Sequence, residues 1–99
     1  MMNRDVAITE LAAHAAALKL RGVVAAYLFG STGRGEACAD SDLDVFLDIA
    51  PDAKFSLFGL AGLHGLLNAE LGCKVDLTTR ESLHPLLRAE IERDAVRIF

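Results

Sequence analysis

The stretch from Val23 to Asp48 constrains the fold of this chain more than any other. Val23 to Phe29 is a nearly continuous apolar run, the pattern of a strand in a sheet covered on both faces. It stops at Gly30-Ser31-Thr32-Gly33-Arg34-Gly35, where glycine frees the backbone for a tight turn and for close approach to a ligand. From Asp42 the pattern becomes alternating: Leu43, Val45, Leu47 and Ile49 share one face of a second strand, and Asp42, Asp44, Phe46 and Asp48 share the other. An apolar strand, a glycine-rich turn and a strand that begins with paired acids therefore follow one another with little chain between them.

The rest of the chain supplies the layers around these strands. Ile8, Leu11, Ala12, Ala15 and Leu18 recur at helical spacing, and Gly22 stands where a C-terminal glycine would end that helix. Pro51-Asp52 breaks the chain before a helix predicted over 53–71, ending at Gly72. Lys74 to Thr78 reads as a third strand, Glu81 to about Asp94 as a third helix, and Ala95 to Phe99 as a short terminal strand. Strands alternating with helices predict a small α/β (α+β) domain spanning 1–99, a mixed sheet flanked by helices.

Composition narrows the function. A chain of 99 residues that is 53% hydrophobic has enough apolar surface for one modest core. Its net charge of −4 argues against direct nucleic-acid binding, which needs a basic face. Cys38 and Cys73 match no CxxC or zinc spacing and read as reduced thiols of a cytoplasmic protein. The amino terminus lacks the apolar stretch of a signal peptide. The apolar run from Phe55 to Leu71 is interrupted by polar residues and falls short of the ~20 needed for a membrane span.

The paired acids carry the chemistry. Residues two apart in a strand point the same way, about 6.5–7 Å apart along the backbone. Two carboxylates aimed at one place repel each other unless a cation lies between them, and a hard divalent ion such as Mg²⁺ prefers oxygen ligands. Asp76, in Lys74-Val75-Asp76-Leu77-Thr78, joins Asp42 and Asp44 on one polar edge if the third strand neighbours the second. Three carboxylates can hold two metal ions, or Asp76 can take the proton of an attacking hydroxyl. Backbone N–H groups at Gly30-Ser31 can form a nest for phosphate, and a helix starting at Ser31 would add its dipole. Arg34 would offer a fork of donors to the same triphosphate. Carboxylates for metal and a turn for phosphate together point to nucleotidyl transfer.

Gly30-Ser31, ten residues, then Asp42-Leu43-Asp44 resembles the signature of the DNA polymerase β nucleotidyltransferase superfamily. The short length, the opening Gly-Ser-Thr-Gly-Arg-Gly-Glu and the later Lys74-Val75-Asp76-Leu77 look most like the minimal nucleotidyltransferases (MNT). The resemblance runs from about Val23 to Phe99 and departs at Gly33, where alanine is more usual; the extra glycine loosens a short helix by up to ~1 kcal/mol. It implies that Gly30 and Ser31 hold the nucleotide phosphates and that Asp42, Asp44 and Asp76 form the Mg²⁺-binding triad. It also implies a partner, a small helical HEPN toxin, neutralised by transfer of AMP from ATP to a tyrosine.

Each feature also has a plainer reading. Alternating acids usually mark a solvated strand face, and glycine–serine turns are common. Asp48, two pleats beyond Asp44, reads as a structural or edge residue and Asp40 as a turn residue; Arg34 reads equally as an ordinary surface arginine. His14, His64 and His84 make no paired ligand spacing. Phe55, Phe58, Leu63, Leu66 and Leu67 are core candidates, but Leu57 and Leu60 make their helix apolar on more than one side. Such a surplus suits a partner surface or a second copy of the chain. The expected function is thus an Mg²⁺-dependent transfer of AMP from ATP to a partner's hydroxyl. The alternatives are an antitoxin acting by contact alone or, less well matched to the length, a small-molecule nucleotidyltransferase.

Overall fold

The computed structural model describes residues 4–30, 43–53, 57–71 and 75–99. Two helices, α1 (Arg4–Ala12) and α2 (Ala15–Leu20), precede strands β1 (Val23–Phe29) and β2 (Leu43–Ile49). Helix α3 (Leu57–Leu71) crosses to β3 (Val75–Thr79). A 3₁₀ turn (Arg80–Ser82), helix α4 (Arg88–Asp94) and β4 (Val96–Arg97) complete the described order. The four strands form one mixed sheet in the order β3-β2-β1-β4. β1 runs antiparallel to both β2 and β4, and β2 pairs in parallel with β3.

The main core lies on one face of the sheet. Ala26 and Leu28 of β1, Leu43, Val45 and Leu47 of β2, and Val75 and Leu77 of β3 are buried there with Ala7 and Leu11 of α1, Leu18 of α2, and Leu63 and Leu67 of α3. Of the apolar residues on α3, Leu60 and Leu71 also pack against this core, and Ala61, Gly62, Gly65 and Ala69 are exposed; Phe55 and the side chains of Leu57 and Phe58 lie outside what the structure describes. No helix among the described residues is long and apolar enough to cross a membrane.

Three features correct the sequence reading. The first helix is two, because the His14 ring Nδ1 donates to the Glu10 carbonyl at 2.9 Å, the carbonyl that the His14 backbone N–H would otherwise use. That N–H turns instead to the Leu11 carbonyl at 3.0 Å, and the helix breaks at 13–14. The helix expected over 81–94 begins only at Arg88. Pro85 disfavours helical geometry in the residue before it and offers no N–H; the chain is extended at Leu83 and turns through 85–87 before α4. In β1 the pairing with β2 slips between Val23 and Ala25. This bulge leaves Val24 53% exposed and puts Ala25, Tyr27 and Phe29 on the second face.

Gly22 closes α2 as expected. Its φ is +98°, and its N–H donates to the Lys19 carbonyl at 3.1 Å. A Cβ there would lie 2.6 Å from the Ala53 Cβ, so steric contact and backbone strain act together. Gly22→Ala should lower stability by at least about 1–2 kcal/mol, measured as a shift of the urea midpoint with an unchanged m-value.

Candidate functional site

The second face of the sheet is laid out in rows set by strand register. Phe29, Asp44 and Asp76 are successive partners across β1, β2 and β3. Tyr27, Phe46 and Thr78 form the next row, followed by Ala25 with Asp48. Because β2 antiparallels β1 and parallels β3, the end of β1 and the starts of β2 and β3 meet at one edge. Asp44 and Asp76 are therefore neighbours on strands about 4.8 Å apart. Asp44 is half-buried and Asp76 exposed. The start of β3 is pinned from α3, where the Asn68 side-chain Oδ1 accepts the Val75 N–H at 2.5 Å.

Gly30 closes this edge. Its φ of +73° is left-handed, and a Cβ there would collide with the Asp44 carboxylate, lying 3.3 Å from its Cγ. Glycine is thus required twice, for the turn of the chain and for room beside Asp44. Ser31, Arg34 and Asp42 lie outside the described residues. Among the described residues the acids at this edge are a pair, and no group of three metal-ligating side chains converges there. The donor chemistry nevertheless fits a hard divalent cation: two carboxylates in one row, on one face, beside a residue without a side chain.

A buried aromatic group and an ionic clamp occupy the middle of the same face. Phe46 is 1% exposed and stacks on Tyr27 at 4.8 Å, with Phe29 tilted against it at 5.6 Å. The guanidinium of Arg80 covers both stacked rings at 5.0 Å from each centroid. Its Nε and Nη2 donate to the two Asp48 oxygens at 2.7 and 2.9 Å, and its Nη1 donates to Glu92 of α4. Glu92 also pairs with Arg88 at 3.3 Å. The hydrogen bonds to Asp48, helped by Glu92 and opposed by burial, hold the Arg80 pKa above its ordinary value. A raised pKa keeps this contribution present at all lower pH, so Arg80 itself does not titrate through the neutral range.

Arg80 was not singled out by the sequence. The signal was Asp48, an acid on a face that the alternation predicts to be polar but that Phe46 makes partly apolar; such an acid needs a cation of its own. Asp48 accordingly has the structural role expected of it. The histidines stay apart from the site: His14 caps a helix break, His84 Nδ1 accepts the Leu86 N–H at 3.2 Å, and His64 is half-buried on α3. A cleft of about 260 Å³ adjoins the edge, lined by Phe29 and Gly30 on one side and by Leu87, Glu90, Ile91 and Asp94 on the other.

Residues 11–98 match the sequence family of the nucleotidyltransferase domain. The chain belongs to the minimal nucleotidyltransferases. It is 37% identical over 89 residues to the protein adenylyltransferase MntA of Thermococcus cleftensis, covering 89% of this chain and 88% of that one. A candidate protein adenylyltransferase of Methanocaldococcus jannaschii is 38% identical over 78 residues, or 79% of this chain and 82% of the relative. Among solved structures, a candidate minimal nucleotidyltransferase superposes with a TM-score of 0.80 at 32% identity, covering 96% and 95% of the two chains. A toxin–antitoxin crystallised with AMP-PNP shares the fold at a TM-score of 0.73 and 19% identity, over 93% of this nucleotidyltransferase and 72% of that chain.

Two substitutions test the construction of the face. Gly30→Ala should destabilise the nucleotidyltransferase by about 1–2 kcal/mol from backbone strain alone, read as a shift of the denaturation midpoint. Arg80→Lys keeps the charge but loses the fork to Asp48. It should cost about 1–3 kcal/mol in the same measurement, and more than Lys19→Ala, which removes a single cation–π contact with Phe99.

Proposed function

We propose that this nucleotidyltransferase is a protein adenylyltransferase that moves AMP from ATP to a tyrosine hydroxyl of a partner toxin of the HEPN class, and so acts as an antitoxin. The observation that carries the reading is the alignment of Asp44 with Asp76 beside a left-handed Gly30. Identity of 37% to an adenylyltransferase named MntA supports the choice of reaction, as does the extent of that likeness, 89% of this chain and 88% of that one. The fold shared with a MntA–HepT toxin–antitoxin complex, at a TM-score of 0.61 and 19% identity, agrees with a toxin as partner.

In this reading Gly30 and Ser31 bind the triphosphate through backbone N–H groups and the serine hydroxyl, and Arg34 adds a charged fork. Asp42, Asp44 and Asp76 would hold Mg²⁺. When bound, the ion offsets the negative charge of the triphosphate and lowers the pKa of the attacking hydroxyl. Asp76, on the outer strand and exposed, is the acid best able to reach a hydroxyl delivered by another protein. The acceptor oxygen forms its bond to the α-phosphorus as the bond from that phosphorus to the bridging oxygen breaks. Pyrophosphate leaves, and the hydroxyl proton passes to Asp76 and then to water. The protein's task is positioning and charge compensation, which is what phosphoryl transfer chiefly asks of it.

The test is intact-mass spectrometry of the co-purified partner after incubation with ATP and Mg²⁺. The partner should gain one or more AMP groups, and Asp44→Asn should slow that gain by at least about 100-fold while leaving the circular dichroism spectrum unchanged. A partner that gains no mass yet is held and inhibited equally by wild type and Asp44→Asn would establish neutralisation by contact instead.

A further inference from the structure

The core has little hold on the segment from His84 to Asp94. Leu83 before it and Ile98 beyond it are buried, yet no residue from 84 to 94 is. Leu86 is 87% exposed and Leu87 50%. The backbone is extended on both sides of the segment, at Leu83 and at Ala95. Between these points the turn and α4 form one piece: the Leu87 N–H donates to the His84 carbonyl, and the Ile91 N–H to the Leu87 carbonyl, each at 2.9 Å. With no buried side chain of its own, this piece is held by contacts that water and salt can reach.

The polar tie from this segment to the sheet is the ion pair of Glu92 with Arg80, both partly exposed. Among the described residues, the other hydrogen bonds and ion pairs of 84–94 stay within the segment. Each member of the tie has a second partner on its own side. Arg80 keeps the Asp48 carboxylate through Nε and Nη2 at 2.7 and 2.9 Å, and Glu92 keeps Arg88 of α4 at 3.3 Å. Parting Glu92 from Arg80 therefore leaves a neutral couple on the sheet and a neutral couple on the helix, with no charge stranded. A half-exposed pair of this kind contributes little and is screened by salt. Such a contact holds an element without fixing it.

The same segment forms one wall of the cleft beside the acids, where Leu87, Glu90, Ile91 and Asp94 lie across from Phe29 and Gly30. Gly30 abuts Asp44, so lifting α4 widens the approach to the row of Asp44 and Asp76. We infer that residues 84–94 are a gate on this edge, hinged at Leu83 and Ala95 and latched by Glu92 on Arg80, through which nucleotide enters and leaves. The inference rests on the nucleotidyltransferase reading above and adds to it a moving part and the residue that controls it. Glu92 is a positioning residue, acting through the hold it gives α4 on the sheet.

Hydrogen exchange of the whole chain, read by mass spectrometry, tests the latch without nucleotide. In Glu92→Ala the amides of α4 should exchange about fivefold faster than in wild type, while those of β1, β2 and α3 stay unchanged. Alanine is the better helix former, so lost helix propensity would not explain the faster exchange. Raising salt from about 0.05 M to about 1 M should bring wild type toward the variant and leave the variant as it was. Arg93→Ala, which removes a charge whose partner is the adjacent Asp94, should behave as wild type. Stopped-flow binding of a fluorescent ATP analogue with Mg²⁺ then reads the gate. Association and dissociation should both quicken in Glu92→Ala by about the same factor, with little change in Kd. Unchanged exchange in Glu92→Ala would overturn the latch. Faster exchange with unchanged binding rates would overturn the gate and leave the nucleotidyltransferase reading intact. Wild type that binds no nucleotide would overturn both.

Discussion

Parallel pairing of β2 with β3 is the constraint on which the rest of this molecule depends. Parallel neighbours cannot be joined by a tight turn and need a crossover, and α3, 15 residues long, lies in that connection. The same helix supplies Leu63 and Leu67 to the core and the Asn68 side chain that fixes the start of β3. A shift of β3 by one residue would turn Asp76 to the core face and Val75 and Leu77 out of it. Burial of Val75 and Leu77 thus secures the registration of Asp76 with Asp44, and the apolar core sets the geometry of the acids on the opposite face.

That opposite face is divided. One edge is acidic and open, and the middle is a buried aromatic stack under a single arginine. Arg80 leaves the end of β3, neutralises Asp48 on β2 and reaches Glu92 on α4, so it links three elements that are distant in the chain. Partly exposed ion pairs taken singly contribute little. A guanidinium that satisfies two carboxylates and also covers two rings is a different case, because its loss would strand Asp48, leave Glu92 with Arg88 alone and expose the stack.

Much of this architecture is legible in the residues. The alternation from Leu43 to Asp48, the glycine after Phe29 and the acid between Val75 and Leu77 marked the strands, the turn and the carboxylates that meet if β3 lies beside β2. The errors share a cause. His14 breaks a helix by capturing one carbonyl, which apolar periodicity does not register. Pro85 delays α4 to Arg88 although the spacing of apolar and charged residues around it looks helical. Both are decided by a single hydrogen-bonding group, whereas periodicity averages over a dozen side chains.

The sequence by itself determined which face of β2 and β3 was apolar and that Asp44 and Asp76 lie on the other, because both follow from side-chain chemistry and the two-residue pleat. It also marked Gly30 as a turn after β1; that the turn is left-handed and lies against Asp44 was decided by the tertiary structure. Only the tertiary structure decided that β3 lies beside β2, that Arg80 is the cation Asp48 requires, and that α4 closes a cleft against Phe29. These are contacts between residues far apart in the chain. They arise from the joint burial of whole faces, and no local pattern encodes which faces will meet.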